Sequence, residues 1–194
     1  VGLLPICVGI RRTCHQLQIF DVRGNVKLGD AGVALLAGVL PDTLVELDIY
    51  TTGCSDDGIT AIASALPVLL SLERLYCGGN SVGVLGWTAL AEATRAAPAL
   101  RKVDALYSNH MCCDGAKAWA SSLAHCLLLE ELLLEHCQID SVGAHALAES
   151  FAERVPQATE FATLTVQLSG NQFKAPDTKV LEAACAESTV LLKL

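Results

Sequence analysis

One short pattern of apolar residues recurs along this chain at an almost constant interval. Its clearest copy runs from Leu129 to Ala148, where leucines at the first, fourth and sixth positions precede a turn and a helix-like run. Successive copies begin 27, 28, 28 and 29 residues apart. Because each copy holds one strand, one turn and one helix, the units are expected to stack rather than to close a single globular core. The copies begin at Leu17, Leu44, Leu72, Leu100 and Leu129.

Two further positions of the repeat recur in residue type. The ninth position carries small or polar side chains, and we predict that they bond to backbone groups where the strand ends, because unpaired buried amides and carbonyls are costly. A glycine follows, and the helix is predicted to begin there. The ninth residues are Asn25, Thr52, Asn80, Ser108 and Cys137. The glycines are Gly32, Gly58, Gly86, Gly115 and Gly143.

A sixth, less regular copy begins at Thr163, 34 residues after Leu129, which predicts a longer fifth helix or exit loop. Residues 1–16 read as the helix of a preceding repeat, and residues 191–194 as a seventh strand that is cut short. We therefore expect residues 1–194 to form one repeat domain, with a partial repeat at 1–16 and about six repeats over 17–190. Such a chain is expected to be a fragment of a longer protein.

The motif L-x-x-L-x-L-x-x-[N/C]-x-[I/L] and the alanine-containing helix resemble the leucine-rich repeats of the ribonuclease-inhibitor type. The resemblance covers about residues 15 to 194, and it departs from the pattern in the fourth copy, where Val103 and Ala105 replace leucines. It implies an α/β leucine-rich repeat solenoid, or horseshoe, with parallel strands on the concave face and helices on the convex face. It also implies a module that binds proteins and is not an enzyme.

Side chains of a strand alternate between its two faces, so positions three, five and seven should project from the concave face. All three tyrosines of the chain fall on or beside this face, and tyrosine is enriched at protein interfaces. We expect its carboxylates to face solvent and its partner to carry basic and apolar groups. The alternative is that exposed strand residues are simply polar and that tyrosine favours strands. The predicted contact residues are Asp21, Glu46, Asp48, Tyr50, Arg74, Tyr76, Lys102, Asp104, Tyr107, Glu131 and Glu135.

Composition narrows the remaining classes of function. The formal net charge of −8 argues against nucleic acid as a partner. The apolar run Val1 to Ile10 is half the length of a membrane span and contains Gly and Pro. No nucleophile motif or phosphate-binding loop is present, so we predict neither catalytic residues nor a cofactor. Trp87 and Trp119 stand in the helices and are predicted to pack in the core.

Nine cysteines and the absence of an N-x-S/T sequon favour a reducing, cytoplasmic setting, with a cytoskeletal location as a special case. Cys77 and Cys137 occupy repeat positions and are predicted to be small buried apolar residues. The Cys112–Cys113 pair beside His110 lacks a C-x-x-C partner set, so we predict no metal site there.

Three functions remain open at this stage. The first is a protein-recognition or scaffolding module, with a structural subunit of a large cytoskeletal or ciliary assembly as a special case. The second is a GTPase-activating protein similar to the Ran GTPase activators, for which Arg23 and Asn25 lie in a strand-exit loop. The third is the sensor domain of a nucleotide-binding receptor, which requires a further domain.

Overall fold

A computed structural model of the chain describes residues 3–108, 110–154 and 162–194. Within these residues, short strands alternate with helices, and all strands lie parallel in one open sheet in chain order. The strands are β1 (Ile19–Asp21), β2 (Glu46–Asp48), β3 (Arg74–Tyr76), β4 (Lys102–Asp104), β5 (Glu131–Leu133), β6 (Leu164–Gln167) and β7 (Val190–Lys193). The helices are α1 (Leu3–Thr13), α2 (Gly29–Ala37), α3 (Asp56–Ala65), α4 (Val84–Thr94), α5 (Cys112–Leu123), α6 (Ser141–Glu153) and α7 (Ala175–Cys185).

The register of the sheet follows the sequence repeat. Glu46 is the pairing partner of both Ile19 and Arg74, and Arg74 pairs in turn with Lys102. Lys102 pairs with Glu131, which also pairs with Thr165. Strands repeat at about 4.8 Å, whereas packed helices need 8–10 Å between axes. The helix side is therefore the longer, convex side, and positions three, five and seven lie on the concave face.

The core fills the narrow space between the sheet and the helices. Positions one, four and six are buried from the second repeat to the fifth, as Leu44, Leu47 and Ile49 illustrate. The large helix residues Trp87 and Trp119 are fully buried, which confirms their predicted packing role. Stacking thus extends one continuous apolar layer from repeat to repeat, as expected for a solenoid.

The ninth residue binds backbone groups at the strand ends, as predicted, in every repeat but the fourth, where Ser108 Oγ has no hydrogen-bond partner among the described residues. Asn80 Oδ1 accepts hydrogen bonds from the backbone N–H groups of Thr52 (2.9 Å) and Gly53 (3.0 Å) in the preceding repeat. Its Nδ2 donates to the carbonyls of Ile49 and Cys77, both at 2.9 Å. One buried amide therefore satisfies four backbone groups in two repeats.

The helices begin before the glycines rather than at them, which corrects the prediction. Gly58 is the third residue of α3 and Gly86 the third of α4. A Cβ added at Gly86 would lie 3.1 Å from the Cα of Asp56 in the preceding helix. The glycine is required because neighbouring helices approach each other closely in their first turns.

The sixth repeat departs from the pattern at its first position. Thr163 is exposed, and the following residue, Leu164, is buried in its place. Part of the extra length predicted before this repeat lies in α6, which has 13 residues. The rest of that prediction concerns residues 155–161, which lie outside the described residues. The last strand begins at Val190, one residue earlier than predicted.

Candidate functional site

Position three forms a row of charged side chains that pair with one another across the concave face. Arg74 Nε lies 2.8 Å from Glu46 Oε2, and Lys102 Nζ lies 2.7 Å from Glu131 Oε2. Lys102 Nζ also lies 5.7 Å from the centroid of the Tyr76 ring, in cation–π range. Four of the predicted contact residues thus neutralise each other.

Position five places aspartates at the end of three strands, in a common turn. Asp21 Oδ1 accepts a hydrogen bond from Arg23 N, Asp48 Oδ1 from Tyr50 N, and Asp104 Oδ1 from Leu106 N. Asp48 and Asp104 are 6% and 7% exposed. The prediction that the carboxylates of this face are solvated is therefore wrong for these two. Each is buried because its carboxylate folds back onto the turn that follows its own strand.

Tyr50 lies flat across the end of the neighbouring strand. A Cβ added at Gly78 would be 2.7 Å from Tyr50 Cε2, and one added at Gly79 would be 2.9 Å from Cε1. Two consecutive glycines therefore make room for the ring, which is half-buried. The repeat pattern of the sequence does not indicate this role of Gly78 and Gly79.

Tyr107 stacks on His136 of the next repeat, with ring centroids 4.8 Å apart and an interplanar angle of 5°. The His136 ring in turn covers Gly170, where an added Cβ would meet it at 2.3 Å. Tyr107 is 54% exposed, so the outer face of this stack is open to a partner. His136 was not among the predicted contact residues.

Position eight, which carries this stack, has a left-handed backbone in all six repeats. Tyr107 and His136 have φ of 56° and 54°, and Thr51 has φ of 53°. The other three are glycines: Gly24, Gly79 and Gly170. The recurrence of glycine at this position was the signal that could have identified it as a turn.

Arg23 is held by two carboxylates rather than presented to a ligand. Its Nε lies 3.2 Å from Asp21 Oδ2, and its Nη1 lies 3.5 Å from Asp48 Oδ2. Asn25 Nδ2 donates to Val22 O at 2.8 Å. Arg23 thus contacts carboxylates of two repeats and Asn25 bonds within its own loop, which weakens the comparison with GTPase-activating proteins. Glu135, another predicted contact residue, accepts a hydrogen bond from Ser169 Oγ.

Comparisons with known proteins agree with this geometry. Residues 13–37 and 125–148 match the Leucine Rich repeat family. The fold is similar to that of the tropomodulin C-terminal domain of Caenorhabditis elegans, with a TM-score of 0.61 over 96% of this chain and 93% of that one. The chain folds as a leucine-rich repeat solenoid. At 8% sequence identity the tropomodulin likeness concerns the fold alone. No curated protein sequence is significantly similar to this chain.

The concave face of this leucine-rich repeat solenoid is electrostatically uneven. Burial raises the pKa of Asp104, although the hydrogen bond from Leu106 and the charge of Lys102 oppose it. Burial likewise raises the pKa of Asp48, with opposition from its bond to Tyr50. The pKa of Tyr50 is raised by burial and by the charge of Asp104. Tyr50 and the two aspartates thus form an acidic, aromatic centre, whereas the position-three row is neutralised.

Other chemistry receives little support from the described residues. Cys77 and Cys137 are fully buried, as predicted, and burial raises the pKa of Cys137 to about 12. Such thiols are poor nucleophiles because little thiolate is present at neutral pH. Across residues 3–108, 110–154 and 162–194, no three potential metal ligands come together. None of the helices in that part of the chain has the length and apolar character that crossing a bilayer requires.

Proposed function

We propose that this chain is a non-catalytic protein-binding module that contacts its partner through the concave face. The carrying observation is the tyrosine patch, which we define as Tyr50, Tyr76 and Tyr107 together with Asp48 and Asp104. The three rings are only partly buried, so each leaves ring surface open to a partner. Tyrosine offers a large contact area at low entropic cost. We further propose that residues 1–194 act as one domain.

The arrangement of charges supports a partner with basic and apolar groups. Basic residues of the concave face, such as Arg74 and Lys102, are already paired with glutamates of the same face. Asp104 is therefore the carboxylate of the tyrosine patch that a basic partner group could pair with, since Asp48 already lies 3.5 Å from Arg23 Nη1. Complementary charge across an interface favours correct partners and suppresses wrong ones.

Affinity purification of the full-length protein from its native cells, followed by crosslinking and mass spectrometry, tests the proposal. The double variant Tyr76→Thr, Tyr107→Asn keeps a strand-forming residue in β3 and a residue tolerant of positive φ at position eight. Leu85→Gln is the matched control, because Leu85 is a 71% exposed residue on the convex side. We expect the double variant to lose the stoichiometric partner and Leu85→Gln to retain it.

The reverse pattern would assign binding to the helices and contradict the proposal. The finer suggestion of a structural subunit in a cytoskeletal or ciliary assembly, in a cytoplasmic setting, makes a separate prediction. The protein should then sediment with the detergent-insoluble cytoskeleton and leave it when the tyrosine patch is altered. A protein that stays in the detergent-soluble fraction would contradict that finer suggestion and leave the binding module intact.

A further inference from the structure

Asp104 is a buried carboxylate that accepts a hydrogen bond at one of its two oxygens. Its side chain is on the concave face, and the residue is more than nine-tenths buried. Oδ1 accepts a hydrogen bond from Leu106 N at 3.1 Å, whereas Oδ2 has no hydrogen-bond or ion-pair partner among the described residues. Burying a charge without an opposite charge is costly, so such groups are usually paired.

Asp48 shows what a compensated residue in the same position looks like. It occupies the same repeat position, makes the same turn with the N–H of Tyr50, and is equally buried. Its Oδ2, however, lies 3.5 Å from Arg23 Nη1. Near Asp104, the basic residue on the same strand is Lys102, and its ammonium group is bonded to Glu131 instead.

Tyrosines lie near the Asp104 carboxylate, both on the adjacent strand and further along the concave face. Tyr76 is its in-register neighbour on the adjacent strand. Tyr50 lies close enough for the charge of Asp104, and for Tyr107, to raise its pKa. The faces of these rings attract cations, as the position of Lys102 Nζ over Tyr76 shows within the chain itself. A cationic side chain could therefore pair with the carboxylate and lie against a tyrosine ring at the same time.

We propose that Asp104, framed by Tyr50, Tyr76 and Tyr107, receives one cationic side chain, a lysine or an arginine, from a protein partner. This inference rests on the proposed function and specifies the chemistry of its central contact. A cation placed there would bond to Oδ2 and would lie against tyrosine rings. It would supply the charge that Arg23 supplies to Asp48, so binding would remove an energetic cost that the unbound chain carries.

The test uses blocked amino acids as probes, namely the N-acetyl methylamides of lysine, arginine and norleucine. Binding is followed by NMR on the carboxyl carbon of Asp104 and the ring signals of the tyrosines. Asp104→Asn keeps an oxygen for the Leu106 N–H and removes the charge, so its fold is expected to persist. Asp57→Asn is the matched control, because it removes one negative charge from an exposed residue of α3, outside the tyrosine patch.

We expect the lysine and arginine probes, but not norleucine, to shift the Asp104 and tyrosine signals. Asp104→Asn should weaken this binding by about tenfold or more, as for other close charge pairs, and Asp57→Asn by less than about twofold. Three results would overturn the subsite: no shift in the native protein, equal binding of norleucine, or unchanged binding by Asp104→Asn. If the native partner still depends on Tyr76 and Tyr107 in that case, the proposed function survives without the subsite.

Discussion

The carboxylate of Asp30 lies in helix α2 but caps helix α3, because its Oδ1 accepts a hydrogen bond from Gly58 N at 2.9 Å. The same oxygen accepts a bond from Ser55 N at 2.6 Å, and Oδ2 accepts one from Ser55 Oγ at 2.7 Å. Asp56 of α3 repeats the arrangement one unit further on, where its Oδ1 accepts bonds from Gly83 N and Gly86 N. Helix capping in this region therefore couples each repeat to the next.

Asp30→Ala should lower the free energy of unfolding by about 1–2 kcal/mol, the usual cost of losing a side-chain cap. Urea unfolding, followed by circular dichroism, measures this change in the free energy of unfolding. Burial by itself raises the pKa of Asp30, but the bonds from Ser55 and Gly58 outweigh burial and lower it. The stability that the Asp30 carboxylate contributes is thus present above its unfolded-state pKa of about 3.9 and is lost as pH falls through its folded-state pKa.

Asp57→Ala is the control for that measurement. Asp57 stands in the first turn of α3, is exposed, and caps no neighbouring helix in the part of the chain that the structure describes. Its loss should change stability by less than about 0.5 kcal/mol, as for most surface substitutions. Equal effects of the two variants would mean that general charge at the helix N-terminus, rather than the bonds across repeats, stabilises α3.

Asn80→Ala should be among the most destabilising substitutions, at about 3 kcal/mol or more, because it leaves buried backbone groups of two repeats without partners. Asn25→Ala removes the same side chain at the same repeat position. There the amide is exposed and bonds within its own loop. Its loss should cost less than about 1 kcal/mol. Chemical denaturation of both variants checks the difference, and similar losses would refute a cross-repeat role for Asn80.

Gly78→Ala should displace the Tyr50 ring from its position against Gly78 and Gly79. The new methyl group would lie 2.3 Å from Leu106 O and 2.7 Å from the Tyr50 ring. We expect destabilisation of about 1–3 kcal/mol, typical of overpacking, together with an altered Tyr50 ring signal in NMR. Gly38→Ala is the control, since its nearest neighbouring atom is 3.7 Å away. An unchanged Tyr50 signal in Gly78→Ala would contradict the close contact between the Tyr50 ring and Gly78.

Asp104→Asn should raise the melting temperature at neutral pH. Burial raises the folded-state pKa of Asp104 above its unfolded value of about 3.9. Between those two values the folded state binds more protons than the unfolded state, so stability falls as pH rises through this window. The advantage of the asparagine should therefore be full above the window and vanish near pH 3.5 or below, roughly. Calorimetry across this range checks it, and a lower melting temperature at neutral pH would show that the charge stabilises the fold.

The fold was predictable because the repeat spacing directly sets the strand register. Residues such as Glu46, Arg74 and Lys102 stand at one repeat position and pair in one row. The concave position of the candidate residues follows from the same spacing. Their partners do not, because whether Arg74 reaches Glu46 depends on side-chain conformations that a periodic pattern does not specify.

The burial of Asp104 and the stacking of His136 also could not be predicted from the repeat pattern of the sequence. Asp104 is hidden by a turn that folds its carboxylate back toward the backbone of Leu106. His136 stacks on Tyr107 because both residues have left-handed backbones. A glycine in the sequence would have indicated such a backbone, whereas a histidine does not. Local backbone geometry, rather than hydrophobic periodicity, decides such details.

The capping pattern stops halfway along the chain, where Val84 takes the place that Asp30 and Asp56 hold in the preceding helices. The side chain of Met111, the N-cap residue of α5, makes no capping bond, whereas α6 is capped by its own Asp140. A linear stack whose joints differ in strength does not melt as one unit. Amide protons on the two sides of the α4–α5 joint should then exchange with solvent as two separate groups, so one half of the solenoid can open while the other stays folded.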